Sequence, residues 1–401
     1  MQAYHFFSPL LAPDQAWAAF DWQTFTASDP VELPALTALG DICAPLARQL
    51  PLWIPCQRDW LDNAAFREFI KKLGPNQVIP AFPSETAESR PHLAACQALR
   101  ADDIHVALRV DDGNMLKQLA AGSFDHLLLD AEFARGKVPL IDLINAHQFG
   151  FHLVASGVRS HELFEWAVAK RFSLLSSQFV ITVDSRAPVD ADTTRLKLLK
   201  LLSLVVQDAD TREIEEIFRQ EPKLSYNLLR LVNSVAVGPR TPITGFAQAI
   251  TVLGRRQLQR WLQLLIYANQ FGQANQPNPL MQQAAVRGKL LEGMAHKLGP
   301  VSDIDDVGEA AYMVGIFSLL DTLLRLPMAD ILAALPLAEP LAAALGRQEG
   351  PLGRLLHAVV EGERGNHAVA GEALVTLGID AVTHVRAQAD ALLWASRITL
   401  E

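Results

Sequence analysis

The spacing of apolar and polar positions changes its rhythm once along this chain, near residue 182. Before that point, short apolar or β-branched runs alternate with stretches of helical period, and turn residues join each pair. The runs predict strands at 3–7, 16–26, 50–56, 77–82, 104–110, 126–131, 151–157 and 172–180. Between them the 3.6-residue period predicts helices at 33–50, 62–73, 89–102, 115–121, 138–149 and 160–171. In 62–73, Phe66, Phe69, Ile70 and Leu73 share one face while Arg67, Glu68, Lys71 and Lys72 share the other. Ser160 stands where a hydroxyl can cap the last of these helices, over Leu163, Phe164, Ala167 and Val168. Strand–helix alternation implies a mostly parallel sheet wrapped by helices. Eight strands allow a (β/α) barrel, but the segment is short beside the ~250 residues of a full one, so a shortened or partly open barrel is expected.

From 183 to 194 the run VDSRAPVDADTT is polar, acidic and interrupted by Pro188, which marks a linker. Beyond it strand signals vanish, and 195–401 reads as all-helical. Asp210 and Glu213 have capping-box spacing, Pro222 ends a helical stretch, and Gly254 suits a left-handed C-terminal cap. In 255–270, Leu258, Trp261, Leu262, Leu265 and Ile266 form one apolar stripe. The expected organisation is therefore a βα domain at 1–182, a linker at 183–194 and an all-α domain at 195–401.

Composition narrows the chemistry. Half the residues are hydrophobic and a fifth charged, which is globular. A net charge of -9 argues against a nucleic-acid backbone as partner, since that binding rests on clustered Lys and Arg. Cys43, Cys56 and Cys96 are odd in number, lack CxxC spacing and sit among apolar neighbours, as buried thiols of a reducing compartment do. No basic leader precedes Pro9 and Pro13, and the apolar run at 310–320 stops at Asp321, short of the ~20 residues that cross a bilayer. A cytoplasmic protein without membrane contact is expected.

The stretch EPKLSYNLLRLVNS (221–234), followed by TPITGFAQAITVLGRRQLQRWLQLL (241–265), resembles the HDOD domain, and GIFSLLDTLLRLPMADILAALPL (315–337) resembles the branch of that family that follows a degenerate EAL domain. The order of elements in the first half is similar to that of EAL domains, the cyclic-di-GMP phosphodiesterase fold. PLLAPDQAWAAFDW (9–22) stands at the family's Glu-Ala-Leu motif, IHVALRV (104–110) at its Ala-Leu-Asp-Asp motif, HLLLD (126–130) at its Lys-x-Asp, and LVASGVRSHELFEWA (153–167) at its Glu-Gly-Val-Glu. The resemblance implies bacterial signal transduction, with a degenerate EAL-type barrel before an HDOD domain that docks proteins.

Phosphodiester hydrolysis by that fold needs several carboxylates converging on divalent cations. Carried across, the motif's leading Glu falls on Phe20 or, one position on, Asp21, and its following Arg on Thr24 or Phe25. The Asp-Asp pair falls on Arg109 and Val110, with Asp111 and Asp112 two positions further along. The Lys becomes Leu128, and the two Glu become Ser156 and Arg159. Asp130 alone is retained. Asp130, Arg109 and Arg159 are thus candidates for a relict or ligand-contacting site, whereas Asp111-Asp112-Gly113-Asn114 reads as a polar turn.

In the helical half, the related HD phosphohydrolases bind metal through a His and a His-Asp pair. Here those positions read Arg287 and Phe317-Ser318-Leu319, with Asp321 three residues past Ser318, and a guanidinium cannot ligate a cation. No catalytic residue, metal or cofactor is expected. The eleven His look scattered, and His147 with His152 reads as a chance pair. Arg255, Arg256 and Arg260 beside Arg240 could attract phosphate, but a solvated helix start is the plainer reading. Trp261 and Trp394 read as core, Asn227 and Asn233 as braces of a turn, and 361–364 as a polar helix end. A non-catalytic protein-interaction module leads, with room for self-association. A sensor that binds a cyclic dinucleotide without cleaving it is the alternative, and a residual phosphodiesterase ranks last.

Overall fold

A computed structural model describes residues 3–26, 32–184, 254–268 and 278–398, with isolated positions between 186 and 249. The chain divides into two compact units. One comprises Met1–Thr182 with Glu361–Glu372 and Asp380–Ala389, and the other comprises Val183–Val360, Ala373–Ile379 and Asp390–Glu401. Two C-terminal segments therefore group with the strands, where the sequence pattern ran one helical domain to residue 401.

In the first unit β1 (Tyr4–Leu11), β2 (Trp17–Phe25), β3 (Leu52–Pro55), β4 (Val78–Phe82), β5 (Ala107–Val110), β6 (His126–Asp130), β7 (His152–Ser156) and β8 (Leu174–Ser176) close into one barrel. The expected opening does not exist, because β1 runs antiparallel to both its neighbours and seals the sheet. From β2 to β8 all pairs are parallel. Strands of three to five residues from β3 onward explain how so short a segment closes.

Leu10, Ala19, Trp53, Ile79, Ala81, Ala107, Leu128 and Val154 fill the interior. Three alanines there leave room for the Trp53 indole, the alternation of sizes that a small barrel needs. The outer face carries Phe20, Leu52, Ile54, Val78, Leu108, Leu127, Leu129 and Leu153, all buried. Apolar residues on both faces are what made each parallel strand visible as a continuous run. β1 passes through Pro9 to Leu11 instead of stopping at Phe7, and β8 meets it only at Leu10 and Leu11. The nitrogen of Pro9 points to the same edge as the Phe7 N–H, so no ladder bond is lost there.

The helices of this unit are α1 (Leu33–Thr37), α2 (Gly40–Gln49), α3 (Ala64–Leu73), α4 (Arg90–Ala101), α5 (Ala131–Lys137), α6 (Leu140–Gln148) and α7 (His161–Ala169). Asn63 caps α3 by accepting from Ala65 N at 2.9 Å, and Ser160 caps α7 by accepting from Leu163 N at 3.2 Å. The helix expected at 115–121 is a single 3₁₀ turn, Met115–Lys117, and α5 follows β6 with no loop between them. The three cysteines are buried free thiols; burial pushes Cys96 up to about 12 and raises Cys43 and Cys56 as well.

The second unit is helical. Its described helices begin with α8 (Arg255–Ala268), α9 (Pro279–Ala295), α10 (Val307–Phe317) and α11 (Leu320–Leu324). They continue with α12 (Met328–Ala333), α13 (Glu339–Arg347) and α14 (Gly350–Glu363). Two more, α15 (His367–Thr376) and α16 (Ala381–Ala395), complete the chain. Residues of α14, α15 and α16 are shared with the first unit. By length and composition Val307–Leu324 could cross a membrane, but 61% of it is buried, as in the core helix of a globular unit. Trp261 is buried and stacks on the half-buried Trp394 with ring centroids 5.8 Å apart.

The closest packing is between α9 and α10. A Cβ on Gly315 would lie 2.5 Å from Gly288 Cα, and one on Gly288 would lie 2.9 Å from Ile316 Cγ1. Tyr267 on α8 reaches the same part of α10, its hydroxyl donating to Ile316 O at 2.5 Å. Gly315→Ala should therefore overpack the crossing and destabilise the helical unit by about 2 kcal/mol, read as a lower Tm by circular dichroism. An unchanged Tm would mean the two helices can part at no cost.

Candidate functional site

The carboxyl ends of β2 to β8 surround one mouth, the end at which βα folds place their sites. Alternation from the interior residues decides which side chains face it. Ala19 puts Asp21 and Gln23 inward on β2; Ala107 puts Arg109 inward on β5; Leu128 puts Asp130 inward on β6; Val154 puts Ser156 inward on β7. Of the two positions open for the acidic motif, Phe20 lies fully buried on the outer face and Asp21 faces the mouth.

Asp21 accepts from Gln23 Nε2 at 2.6 Å. Burial raises its pKa, and the Gln23 bond and the Arg109 charge only partly offset that. Arg109 is exposed on the barrel's inner side and acts on Asp21 through its field. Asp130 ends β6 and caps α5, its Oδ1 accepting from Phe133 N at 3.0 Å. Its other oxygen rests against Gly157, whose φ of +63° and lack of a Cβ permit the approach. Arg159 reaches the same corner, with one guanidinium nitrogen 3.7 Å from where that Cβ would stand. The three candidates thus fall into two groups, Asp130 with Arg159 and Arg109 with Asp21.

Asp111 accepts from Ser84 Oγ at 2.9 Å, and Asp112 accepts from Asn114 N at 3.0 Å. Together they make the polar turn that their residue types suggest.

The opposite end of the barrel holds a cluster that the sequence pattern does not reveal. The ring of His126 lies 5.4 Å from that of His152 and 5.9 Å from that of His105, and it meets Trp53 edge-on at 5.1 Å. Burial, and then the neighbouring His152, lower His126 to about 4. Nearby, burial works against the Asp125 charge, yet the Arg100 fork and the Val106 N–H hold it below the usual carboxylate range. The signal was register, since His126 and His152 open adjacent strands side by side. His147 instead contacts Lys170 O at 3.1 Å. Among the described residues, no three His, Cys, Asp or Glu side chains meet closely enough to hold a metal ion.

In the helical unit, the two positions singled out by the HD comparison do come together. Arg287, buried on α9, donates to Ser318 Oγ at 2.7 Å. Arg256 and Arg260 near the start of α8 are engaged by carboxylates, Arg256 at the surface and Arg260 half-buried. Arg256 bonds Asp306 at 2.7 Å and also Glu309, while Arg260 bonds Glu292 at 2.5 Å, pairs with Glu309 and lies 4.7 Å over the Tyr312 ring. Burial alone would lower the Arg260 pKa, but the Glu309 and Glu292 bonds prevail and raise it. Arg240, Asn227 and most of 221–253 lie outside the described residues.

Residues 193–331 match the HDOD domain family. The chain carries an HDOD domain. Over 149 residues it is 31% identical to the cyclic di-GMP phosphodiesterase CdgJ of Vibrio cholerae, covering 37% of this chain and 33% of that protein. It is 26% identical over 199 residues to the uncharacterized protein YuxH of Bacillus subtilis, covering 49% of this chain and 47% of that one. The chain thus spans a third to about a half of the curated relatives it matches. The N-terminal region is similar to solved EAL domains. That of Mycobacterium smegmatis DcpA matches at 18% identity and a TM-score of 0.36, covering 44% of this chain and 90% of that one. The FimX EAL domain of Xanthomonas citri, in complex with c-diGMP, matches at 14% and 0.36, covering 44% and 86%.

Asp21 offers a direct check on the mouth. A carboxyl whose pKa is raised by folding binds more protons folded than unfolded, so it lowers stability as pH rises past its unfolded value. Asp21→Asn should raise Tm at pH 7, and the gain should shrink as pH falls toward about 4. A variant that melts lower at pH 7 would show the carboxylate to be well accommodated.

Proposed function

We propose that this chain is a non-catalytic signalling protein that works by docking other proteins, with an EAL-type barrel that has lost its metal-ligand set. The observation that carries the reading is the donor set at the mouth. A pair of Mg²⁺ or Mn²⁺ ions wants several hard oxygens free to converge. Here Asp130 holds a helix cap, Asp21 takes the Gln23 bond, and Arg109 projects a fixed positive charge from β5. These residues do not fit such a pair. On the HDOD side, Arg287 bonded to Ser318 supports the same reading, because the related hydrolases place imidazole and carboxylate there.

A docking surface is the second support. On α6 and the residue after it, Leu140, Ile141, Ile144 and Phe149 are 51%, 60%, 41% and 46% exposed. Four large apolar side chains within ten residues are more than the scattered exposure that needs no explanation. The similarity to CdgJ supports a role in cyclic-di-GMP signalling, and the proposed location is the cytoplasm.

The double variant Ile141→Glu/Ile144→Glu should abolish self-association in sedimentation velocity, or capture of a protein partner, and leave the melting temperature within about a degree, as surface changes do. Complexes that persist in this variant would contradict the docking role of α6. Arg109 favours a second reading, a sensor that holds a cyclic dinucleotide by its phosphates. That reading requires calorimetric binding of c-di-GMP without metal, weakened at least about tenfold by Arg109→Ala, the effect of losing one charged hydrogen bond. No heat from the parent protein would dismiss it.

A further inference from the structure

The barrel seam is incomplete at the mouth. β8 pairs with β1 only at Leu10–Ser176 and Leu11–Leu175, so among the described residues no strand lies beside the edge of β1 from Tyr4 to Pro9. An uncovered edge is an open template for a foreign strand. Here a single side chain from far along the sequence occupies it. Gln388 Oε1 accepts from Phe7 N at 2.7 Å, and its Nε2 lies 3.4 Å from His5 O, so one carboxamide serves a donor and an acceptor of the same strand edge. His384, one turn earlier on α16, lies 2.6 Å from that amide nitrogen and packs its ring 5.1 Å from Phe6.

The segments around Gln388 also cover the inward side of the mouth. Tyr4 and Phe6 share a face with Leu10, and Phe25 and Gln23 share one with Ala19, so all four point where Asp21 points. The Phe6 ring is stacked on His367 at 4.4 Å. Gly362 and Gly371 exist as glycines where the contact is tightest. A Cβ on Gly362 would lie 3.1 Å from Phe6, and one on Gly371 would lie 3.0 Å from Phe25. Gln178, just past β8, donates to Arg364 O at 3.3 Å and ties the far side. Phe6 is the direct cross-strand partner of Gln23, whose amide holds Asp21, so this cover abuts the polar mouth.

We propose that residues 361–372 and 380–389 form a strap that closes the β1–β2 side of the barrel mouth, with Gln388 as its latch. With the strap seated, the β1 edge is satisfied and the approach to Gln23 and Asp21 from that side is blocked. With the strap lifted, the edge and the mouth open together. The proposal concerns access and is independent of what the mouth accepts.

Two full-length variants test it by different means. Gln388→Ala removes both edge hydrogen bonds, and Gly371→Val pushes on Phe25 without touching any hydrogen bond. Hydrogen exchange should quicken in peptides covering 4–9 by about tenfold in both variants, while peptides covering β7 keep the parental rate. A Gln23→Cys probe should then react correspondingly faster with a bulky maleimide in both backgrounds, the three native thiols being buried. Parental exchange at 4–9 and parental labelling in both variants would overturn the strap. So would acceleration that always includes β7, since that is opening of the whole barrel.

Discussion

Closure of an eight-stranded sheet through one reversed strand is the constraint on which the first unit rests. Because β1 runs against its neighbours, it can meet β8 only where their ends overlap, at Leu10 and Leu11. That short seam is enough to pin the register of the interior. Once Leu10 and Ala19 face inward, so must Ser8, Asp21 and Gln23, since a slip of one residue would put Phe20 into the barrel and Asp21 under the outer layer of helices. The polar mouth, the upper edge of β1 beyond the β8 seam and the cover over that edge all follow from the same geometry.

The HDOD part rests on a different device. α9 and α10 approach as closely as two helices can because both lack a side chain at the crossing, at Gly288 and Gly315. That approach brings Arg287 to Ser318 and buries the guanidinium among helices. A buried guanidinium is costly unless its donors are matched, so the pair is a defined structural contact instead of an empty ligand position. The acidic ring of Glu292, Asp306 and Glu309 similarly absorbs the positive charge at the start of α8.

Much of this was legible in the sequence, and the reasons are specific. The parallel strands were found because strands buried on both faces read as unbroken apolar runs, as HLLLD and HLVAS do. Helix α3 was equally plain, since Phe66, Phe69, Ile70 and Leu73 keep a strict period. Closure was not legible, because it depends on the direction of β1, and Pro9 looked like a break when it only marks an unpaired edge. α5 was hidden because Asp130 ends a strand and caps a helix at once. For the site, the motif comparison left Phe20 and Asp21 both open, and only the side-chain alternation of the folded sheet separated them. His126 beside His152, and Gln388 on the β1 edge, are contacts between distant segments that no local period encodes.

The central proposal is that the mouth of this barrel does not support metal-assisted phosphodiester hydrolysis. The direct measurement is to incubate the full-length protein with c-di-GMP and either Mg²⁺ or Mn²⁺ and to look for the linear dinucleotide by chromatography. The account predicts no product above a protein-free control with either ion. Metal-dependent product that disappears in Asp21→Asn would contradict it, and would make Asp21 a working ligand in spite of Arg109.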